Sequence, residues 1–415
     1  MKKRKNRALR FRYYVFFIMV FLSLAGCGKR EPSSDGRATP TGEPAATEAP
    51  ADAGTPAASD EGSLTGTNFP EPTEGVSEQG ELEKRFIKMI EEMSLAEKVG
   101  QMFLARCPEN AIEGIREYNV GGYVLFARDF DGETRRSMQE KTAAYQEASK
   151  VPLVLAVDEE GGAVVRVSKY AAFRDSAFLS PRELYAQGGM EKIVSDTQEK
   201  AELLTALGIH VNLAPVCDIS RDKEAFMYMR SFGGSAEETA EYVRTVVGTA
   251  KEAGLGSVLK HFPGYGENAD THAGIVRDTR LYETYKENDF KPFAAGIEAG
   301  AGAVMVSHNI VQCMDPNMPA SLSGEVHRIL REELSFEGVI LTDDLYMDAI
   351  QDFTGKEAAA VSAVLAGNDM LCCTDFDVQI PAVIAAVEDG RISEEQIEAS
   401  VLRILKWKAE LGILE

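Results

Sequence analysis

Residues 256–272 read GSVLKHFPGYGENADTH, and this stretch joins a short apolar run to a loop. One proline and two glycines between residues 263 and 266 would interrupt any helix or strand. The segment holds two of the five histidines of the 415-residue chain, and Asp270 stands two residues before His272. Loops that follow buried strands often carry functional residues, so we expect a site here.

Seven further apolar runs occur along the chain, with segments of helical length between them. Eight runs that alternate with helices predict an α/β fold with a parallel sheet, and eight strands close a (β/α)8 barrel of the TIM type. An open, doubly wound sheet is the alternative, which periodicity alone does not exclude. The eight runs are residues 100–105, 121–127, 151–157, 209–215, 256–259, 301–307, 338–341 and 366–372.

Polar and ionisable residues stand directly after many of these runs, and this arrangement favours the barrel. Barrel enzymes build their sites at the carboxyl ends of the strands. The residues in question are Arg128, Asp158, Asp218, Lys260, His261, His308, Asp343 and Asp344.

The first 27 residues have the pattern of a signal peptide. Seven lysines and arginines precede an apolar run from Tyr13 to Gly26, which is too short to span a bilayer stably. The sequence around Cys27, Leu-Ala-Gly-Cys, resembles the lipobox of bacterial lipoproteins, in which the cysteine is lipidated and becomes the new N-terminus. The alternative is an uncleaved anchor helix with an incidental cysteine. In either case we expect the rest of the chain to lie outside the cytoplasm, anchored to a bacterial membrane.

A linker and a single large domain follow. Residues 28–68 contain no aromatic residue and are rich in Pro, Ala, Thr and Glu, which predicts a disordered tether. We assign residues 28–81 to this linker and residues 82–415 to one catalytic domain, because the apolar runs lie there. Glu83–Met93 and residues 390–413 have helical periodicity, and the latter reads as a closing helix that starts near Ser393.

Charge and cysteine content limit the function further. The whole chain carries a net charge of −22, which becomes −29 without the seven positive charges of the signal peptide. Such an acidic domain is not expected to bind nucleic acid. Apart from Cys27, five cysteines remain without metal-type spacing, so we expect buried free thiols. No phosphate loop or metal cluster is present in the sequence, and we expect no metal and no cofactor.

Several motifs together resemble those of bacterial β-N-acetylglucosaminidases of glycoside hydrolase family 3. The resemblance extends from about residue 93 to residue 411. The combination of KHFPG and DxH is specific, whereas DEEGG or TDDL alone would be weak. The motifs are KHFPG at 260–264 with DTH at 270–272, DEEGG at 158–162 with Arg166, NLAPV at 212–216, RSFG at 230–233 and GVILTDDL at 338–345.

The resemblance implies three catalytic residues. Asp343 would be the nucleophile that forms a covalent glycosyl intermediate, with Asp344 as a structural partner. From spacing alone, Asp343 and Asp344 are equal candidates. His272 would protonate the leaving oxygen and later activate water, while Asp270 would hold its other ring nitrogen.

The resemblance also implies a sugar-binding set, whose carboxylate and cations could grip neighbouring hydroxyl groups. For Arg230 and Lys260 the alternative is a buried ion pair that braces the mouth of the barrel. His308 is a further candidate for the pocket, whereas His210 and His327 are expected to be structural. The implied sugar-binding residues are Asp158, Arg166, Arg230, Lys260 and His261.

The expected function is that of a retaining exo-glycosidase that removes terminal β-linked N-acetylglucosamine from muropeptides or related saccharides, as a monomer. One alternative is another activity of the same family, such as that of a β-glucosidase or an N-acetylglucosamine phosphorylase. The other is a lipid-anchored sugar-binding protein without catalysis.

Overall fold

Eight parallel strands form the centre of the protein, as the apolar runs predict. The computed structural model describes residues 78–271 and 274–415. The predicted signal peptide, Cys27 and the linker up to residue 77 lie outside the described residues. The strands are β1 Phe103–Arg106, β2 Gly122–Leu125, β3 Val154–Val157, β4 Val211–Asn212, β5 Gly256–Phe262, β6 Arg277–Asp278, β7 Ala303–Val306, β8 Ile310–Val311, β9 Val339–Thr342 and β10 Leu371–Cys373.

The order of the barrel strands is β10-β1-β2-β3-β4-β5-β7-β9, and every neighbouring pair is parallel. A bridge between Leu341 and Met370 joins β9 to the start of β10 and brings the two edges of the sheet together. The N–H of Thr342 donates to the carbonyl of Met370 at 3.2 Å across this seam. The predicted (β/α)8 barrel is therefore confirmed, and the open sheet is excluded.

The strands are buried on both faces, as expected for a parallel sheet covered by helices. Helix α1 begins at Glu78, inside the segment assigned to the linker. Helix α5 is interrupted at Gly188 and Gly189. The helices are α1 Glu78–Glu92, α2 Leu95–Gln101, α3 Ala111–Tyr118, α4 Arg135–Ala148, α5 Pro181–Ala206, α6 Ala236–Glu252, α7 Tyr282–Thr284, α8 Phe290–Glu298, α9 Gly324–Arg328, α10 Asp348–Thr354, α11 Lys356–Ala366, α12 Phe376–Glu388 and α13 Glu394–Glu410.

Helix caps lie where the sequence places them. Ser94 and Glu97 form a reciprocal capping box at the start of α2, and Ser393 accepts a hydrogen bond from the N–H of Gln396 at the start of α13. Outside the barrel, β6 and β8 pair in parallel and connect the loop after β5 to the loop after β7. The long connections after β3, β4 and β5 all emerge at the carboxyl end of the barrel, where they build the site.

Candidate active site

A cavity of about 690 Å³ opens at the carboxyl ends of the barrel strands. Its wall contains all the predicted catalytic and sugar-binding residues except His272, which lies outside the described residues. Asp158, Arg166, Arg230, Lys260, His261, Asp270 and Asp343 therefore share one cavity, although they come from distant parts of the chain.

Asp343 follows β9 directly, and hydrogen bonds of the local backbone hold it in place. Its N–H donates to the carbonyl of Val306 at 3.0 Å, and its Oδ1 accepts the N–H of Asp344 at 2.8 Å. Burial alone would raise the pKa of Asp343, but the nearby imidazoles of His261 and His308 and the Asp344 N–H hold that pKa below its usual value. The carboxylate is thus kept ionised at the mouth of the barrel.

Asp344 is held differently, although it lines the same cavity. Its Oδ1 accepts the N–H of Tyr346 at 3.0 Å and its Oδ2 accepts the hydroxyl of Thr374 at 3.1 Å. Burial, together with the negative charge of Asp343, raises the pKa of Asp344. Asp344 therefore uses one carboxylate oxygen to hold the loop after β9 and the other to hold Thr374, which follows β10.

His308 lies behind this loop, buried and outside the wall of the cavity. Its Nδ1 is 2.7 Å from the hydroxyl of Ser321, and its Nε2 is 3.1 Å from the carbonyl oxygen of Asp344. Since a carbonyl can only accept, Nε2 carries the proton in this arrangement. His308 thus supports the backbone that follows Asp343, and it is not among the described residues that line the cavity.

Lys260 is the centre of a buried network of charged side chains in the wall of the same cavity. Its Nζ lies 2.7 Å from Asp158 Oδ1 and 2.7 Å from Glu160 Oε1. Burial disfavours the ammonium ion, but the two carboxylates raise the pKa of Lys260 nevertheless. Asp158 is the more exposed of the two carboxylates, so it can exchange part of this contact for a hydroxyl group of a ligand.

Glu160 joins Lys260 to Arg230. The Arg230 guanidinium donates from Nε to Glu160 Oε2 at 3.0 Å and from Nη2 to Glu160 Oε1 at 2.7 Å. Burial would raise the pKa of Glu160, but Arg230 and Lys260 hold it well below its usual value. The buried ion pairing that was the alternative prediction for Arg230 and Lys260 is therefore present. Both residues also lie on the cavity wall, so the two predictions do not exclude each other.

His261 connects this network to Asp218. Its Nδ1 lies 2.8 Å from Asp218 Oδ2, and its Nε2 lies 3.2 Å from Arg230 Nη2. Because a carboxylate only accepts and a guanidinium only donates, Nδ1 carries the proton and Nε2 is an acceptor. The ring orientation is thus set from both sides.

The loop after β5 is anchored before it reaches Asp270. Tyr265 is buried, its N–H donates to Asp218 Oδ1 at 2.7 Å, and its hydroxyl lies 2.5 Å from Thr271 Oγ1. Gly264 has a φ of 118°, and a Cβ there would lie 2.4 Å from Asp289 Oδ1. Gly264 therefore permits close packing against Asp289, and Tyr265 ties the loop to Asp218 and Thr271.

Several residues of the site were assigned no role from the sequence. Glu160 was visible only as part of a run of three acids, and Asp218 only as a polar residue after a strand. Arg106 and Phe126 also line the cavity. The sequence did contain a sign that Glu160 has a role. Asp158, Glu159 and Glu160 follow a buried strand, and three consecutive carboxylates in such a place need hydrogen-bond or ion-pair partners. Glu159 finds them in the backbone N–H groups of residues 166–168.

The remaining expectations concern metals, thiols and histidines. Within residues 78–271 and 274–415, no cluster of His, Cys, Asp or Glu could hold a metal ion. Cys107, Cys217, Cys372 and Cys373 are buried free thiols, whereas Cys313 is exposed. His210 and His327 bond to backbone atoms away from the cavity.

Among the described helices, none combines the length and apolar character needed to cross a bilayer.

The site is thus a cavity at the carboxyl end of a (β/α)8 barrel, with the Asp343 carboxylate after the seventh barrel strand and the Lys260–Asp158 ion pair in the same wall, an arrangement typical of barrel enzymes. The glycosyl hydrolase family 3 N terminal domain matches residues 94–407. The chain therefore belongs to glycosyl hydrolase family 3, as the sequence motifs predict.

Similar proteins are known in several bacteria. A beta-hexosaminidase of Xylella fastidiosa (strain 9a5c) is 36% identical over 267 residues, which cover 63% of this chain and 78% of that protein. Beta-hexosaminidase A of Pseudoalteromonas piscicida is 29% identical over 334 residues, which cover 73% of this chain and 56% of that protein. The chain thus spans little more than half the length of the latter.

Solved structures share the barrel. The structure of a glycoside hydrolase family 3 beta-N-acetylglucosaminidase from a Paenibacillus species (strain FPU-7) is 32% identical in sequence and superimposes with a TM-score of 0.73. The match covers 77% of this chain and 63% of that one.

Proposed function

We propose that the protein is a retaining exo-β-N-acetylhexosaminidase that releases terminal β-linked N-acetylglucosamine. The observation that carries the proposal is the position of Asp343, an ionised carboxylate in one cavity with Asp270 and the Lys260–Asp158 pair. The names of the Xylella and Paenibacillus relatives support the choice of sugar.

In the proposed mechanism, Asp343 attacks the anomeric carbon and the bond to the leaving oxygen breaks. His272, oriented by Asp270, gives that oxygen a proton, and then takes a proton from the water that cleaves the glycosyl-Asp343 ester. Two displacements at the same carbon retain its configuration. Asp344, whose two oxygens accept hydrogen bonds from the following loop and from Thr374 after β10, serves as a support in this scheme.

The sugar would bind between the ends of β3 and β5. Asp158 and Lys260 present an acceptor and a donor 2.7 Å apart, a spacing that suits two neighbouring hydroxyl groups. Arg166 lies 3.7 Å from the other oxygen of Asp158 and adds donors from the side. Arg230 and His261 complete the binding set, with Glu160 and Asp218 holding them in place.

The test compares hydrolysis of 4-nitrophenyl β-N-acetylglucosaminide and 4-nitrophenyl β-glucoside. Asp343→Asn should lower kcat/KM for the N-acetylglucosaminide by about 10³-fold or more, because the nucleophile is lost. Asp344→Asn is the matched control, with the same change of charge one residue away, and should lose less than about tenfold. NMR should detect the β-anomer of the sugar first.

Three outcomes would contradict this proposal. Preference for the glucoside would identify a β-glucosidase, and phosphate-dependent release of N-acetylglucosamine 1-phosphate would identify a phosphorylase. Binding of the sugar without turnover would identify a binding protein.

We further propose that the enzyme is a lipoprotein of a bacterial cell envelope and acts as a monomer on wall-derived muropeptides. Cys27 lies outside the described residues, so this proposal is supported by the charged and apolar pattern of residues 1–27. The wild type should fractionate with membranes, and Cys27→Ser should not. Release of both proteins into the soluble fraction would contradict the anchor.

A further inference from the structure

Arg106 is a cation of the cavity for which the proposed mechanism has no use. It is the last residue of β1, and it lines the cavity. Its guanidinium carbon lies 4.4 Å from the centroid of the Phe126 ring. Within the described part of the chain its side chain has no hydrogen bond and no ion pair, and its Nε is buried without a partner. A guanidinium left in this condition is costly unless a ligand completes its bonding.

A second arginine lies against the same aromatic ring. Arg166 Cζ is 5.7 Å from the Phe126 centroid, and its Nε is likewise buried without a partner in residues 78–271 and 274–415. Its ion pair with Asp158 is long, at 3.7 Å, and Asp158 already accepts a hydrogen bond from Lys260. Two guanidinium groups therefore border one ring, and carboxylates neutralise them only weakly.

The other cations of the cavity are different. Arg230 is bonded to Glu160 through two nitrogens, and Lys260 contacts two carboxylates. Asp129 interacts electrostatically with Arg106, but its carboxylate accepts the backbone N–H of Phe126 at 2.7 Å and pairs with Arg128 at 3.8 Å. Arg106 and Arg166 thus stand beside Phe126 near the ends of β1, β2 and β3, where Asp158 is the carboxylate that pairs with Arg166.

We propose that Arg106, assisted by Arg166, forms a subsite for an anionic group carried by the saccharide, such as a carboxylate, sulfate or phosphate. An arginine stacked on a ring keeps its in-plane N–H donors available, and their fork matches the oxygens of these anions. In the closed barrel β1 stands four strands from β5, so Arg106 lies across the cavity from Lys260 and His261. The inference rests on the proposed function.

The anion has two possible sources, the terminal sugar or the leaving group, and the experiment separates them. Three substrates are compared: 4-nitrophenyl β-N-acetylglucosaminide, its 6-sulfate, and the same sugar on a carboxylated nitrophenyl leaving group. The wild type should favour at least one anionic substrate over the neutral one in kcat/KM. Preference for the 6-sulfate would place the anion on the terminal sugar, and preference for the carboxylated nitrophenyl group would place it on the leaving group. If the wild type prefers neither anionic substrate over the neutral one, the inference is wrong.

Arg106→Gln should lower kcat/KM for the preferred anionic substrate on the order of 10- to 100-fold, and for the neutral substrate less than about threefold. Arg136→Gln is the matched control, because it makes the same change of charge on exposed α4, where the arginine pairs only with Glu140. It should leave the ratio between the substrates unchanged. Equal losses of Arg106→Gln on both substrates would mean that Arg106 has a structural role or contacts a neutral group.

A measurement on the unmodified enzyme keeps the inference testable if Arg106→Gln does not fold. Added sodium sulfate should reduce kcat/KM for the anionic substrate more than for the neutral one, because sulfate competes for the subsite and screens its charge. A ratio that does not respond to sulfate contradicts the subsite. If the wild type hydrolyses none of the three substrates, the proposed function itself has failed.

Discussion

In two pairs of adjacent acids, the two neighbouring residues have different roles in the site. Asp343 and Asp344 are neighbours, yet one is kept ionised in the cavity and the other holds a loop. Glu159 likewise caps a loop, while Glu160 neutralises Arg230 and Lys260. Sequence spacing cannot separate such neighbours, because their partners come from segments far away in the chain.

The acid-base role of His272 can be tested through the leaving group. A nitrophenolate leaves without a proton, whereas a sugar alkoxide needs one. His272→Ala should therefore lower kcat/KM about 10²- to 10⁴-fold on an N-acetylglucosamine disaccharide and much less on the 4-nitrophenyl substrate, because kcat/KM reports the step in which the leaving group departs. Similar losses on both substrates in steady-state assays would argue against general acid catalysis.

Asp270→Asn is the companion variant for this dyad. If the carboxylate of Asp270 stabilises the protonated imidazole, its removal should lower the pKa of the acid. The basic limb of the kcat/KM profile should then move to lower pH. A profile that keeps its shape and position would mean that Asp270 does not face the imidazole.

At the scale of elements, the seam between β9 and β10 depends on one buried carboxylate. Asp369 Oδ2 accepts the N–H of Ile340 at 2.9 Å and a hydrogen bond from Arg331 at 2.5 Å. Its Oδ1 accepts hydrogen bonds from Ser400 at 3.1 Å and Arg403 at 2.9 Å. One side chain thus ties two strands to the closing helix.

Asp369→Ala should lower the free energy of unfolding by about 3 to 5 kcal/mol, because it removes the acceptor of the buried Ile340 N–H and the carboxylate that neutralises Arg331. Urea unfolding followed by circular dichroism measures this loss. Asp389→Ala is the control, since Asp389 is exposed and lies 3.4 Å from Arg391. It should change stability by less than about 0.5 kcal/mol. A comparable effect of both variants would show that the seam does not depend on Asp369.

The strands themselves were predictable, but their ends were not. The run at 366–372 includes the last residue of α11 as well as most of β10, since Ala366 and Leu371 are both apolar. The change occurs at Gly367, whose φ of 107° ends the helix. Similarly, the run at 209–215 supplies only a two-residue strand, Val211–Asn212. Hydrophobicity indicates that a segment is buried, whereas hydrogen-bond partners decide its geometry.

At the scale of the whole molecule, the barrel explains why so much of the site could be predicted. A closed parallel sheet brings all the strand ends to one side, so polar residues after eight separate runs must converge. Asp158, Lys260 and Asp343 were predictable in this way. The lack of a hydrogen-bond partner for Arg106 Nε among the described residues was not predictable, because the position of the partners that could reach it depends on loop conformations that carry no periodic signal.

The opposite end of the protein contains a lysine that should couple stability to pH. Lys408 on α13 is fully buried, and its Nζ donates to Gln101 Oε1 at 2.6 Å. Burial lowers its pKa to about 7, whereas an unfolded chain gives lysine a pKa of about 10.4. Between these values the unfolded state binds more protons, so this group makes stability rise with pH through that window. Below pH 7 the full free-energy cost of folding with a buried Lys408 is present.

Lys408→Met should therefore raise the free energy of unfolding by about 1 to 3 kcal/mol at pH 7, with the gain shrinking as the pH approaches 10. The loss of the donor to Gln101 offsets part of the gain. Urea unfolding at pH 7 and pH 9.5 measures the difference. Lys406→Met is the control on the same helix, because Lys406 is half exposed and pairs with Glu83 at 3.1 Å. Only Lys408→Met should show a pH-dependent gain, and a gain of equal size at both pH values would exclude a buried titration as its cause.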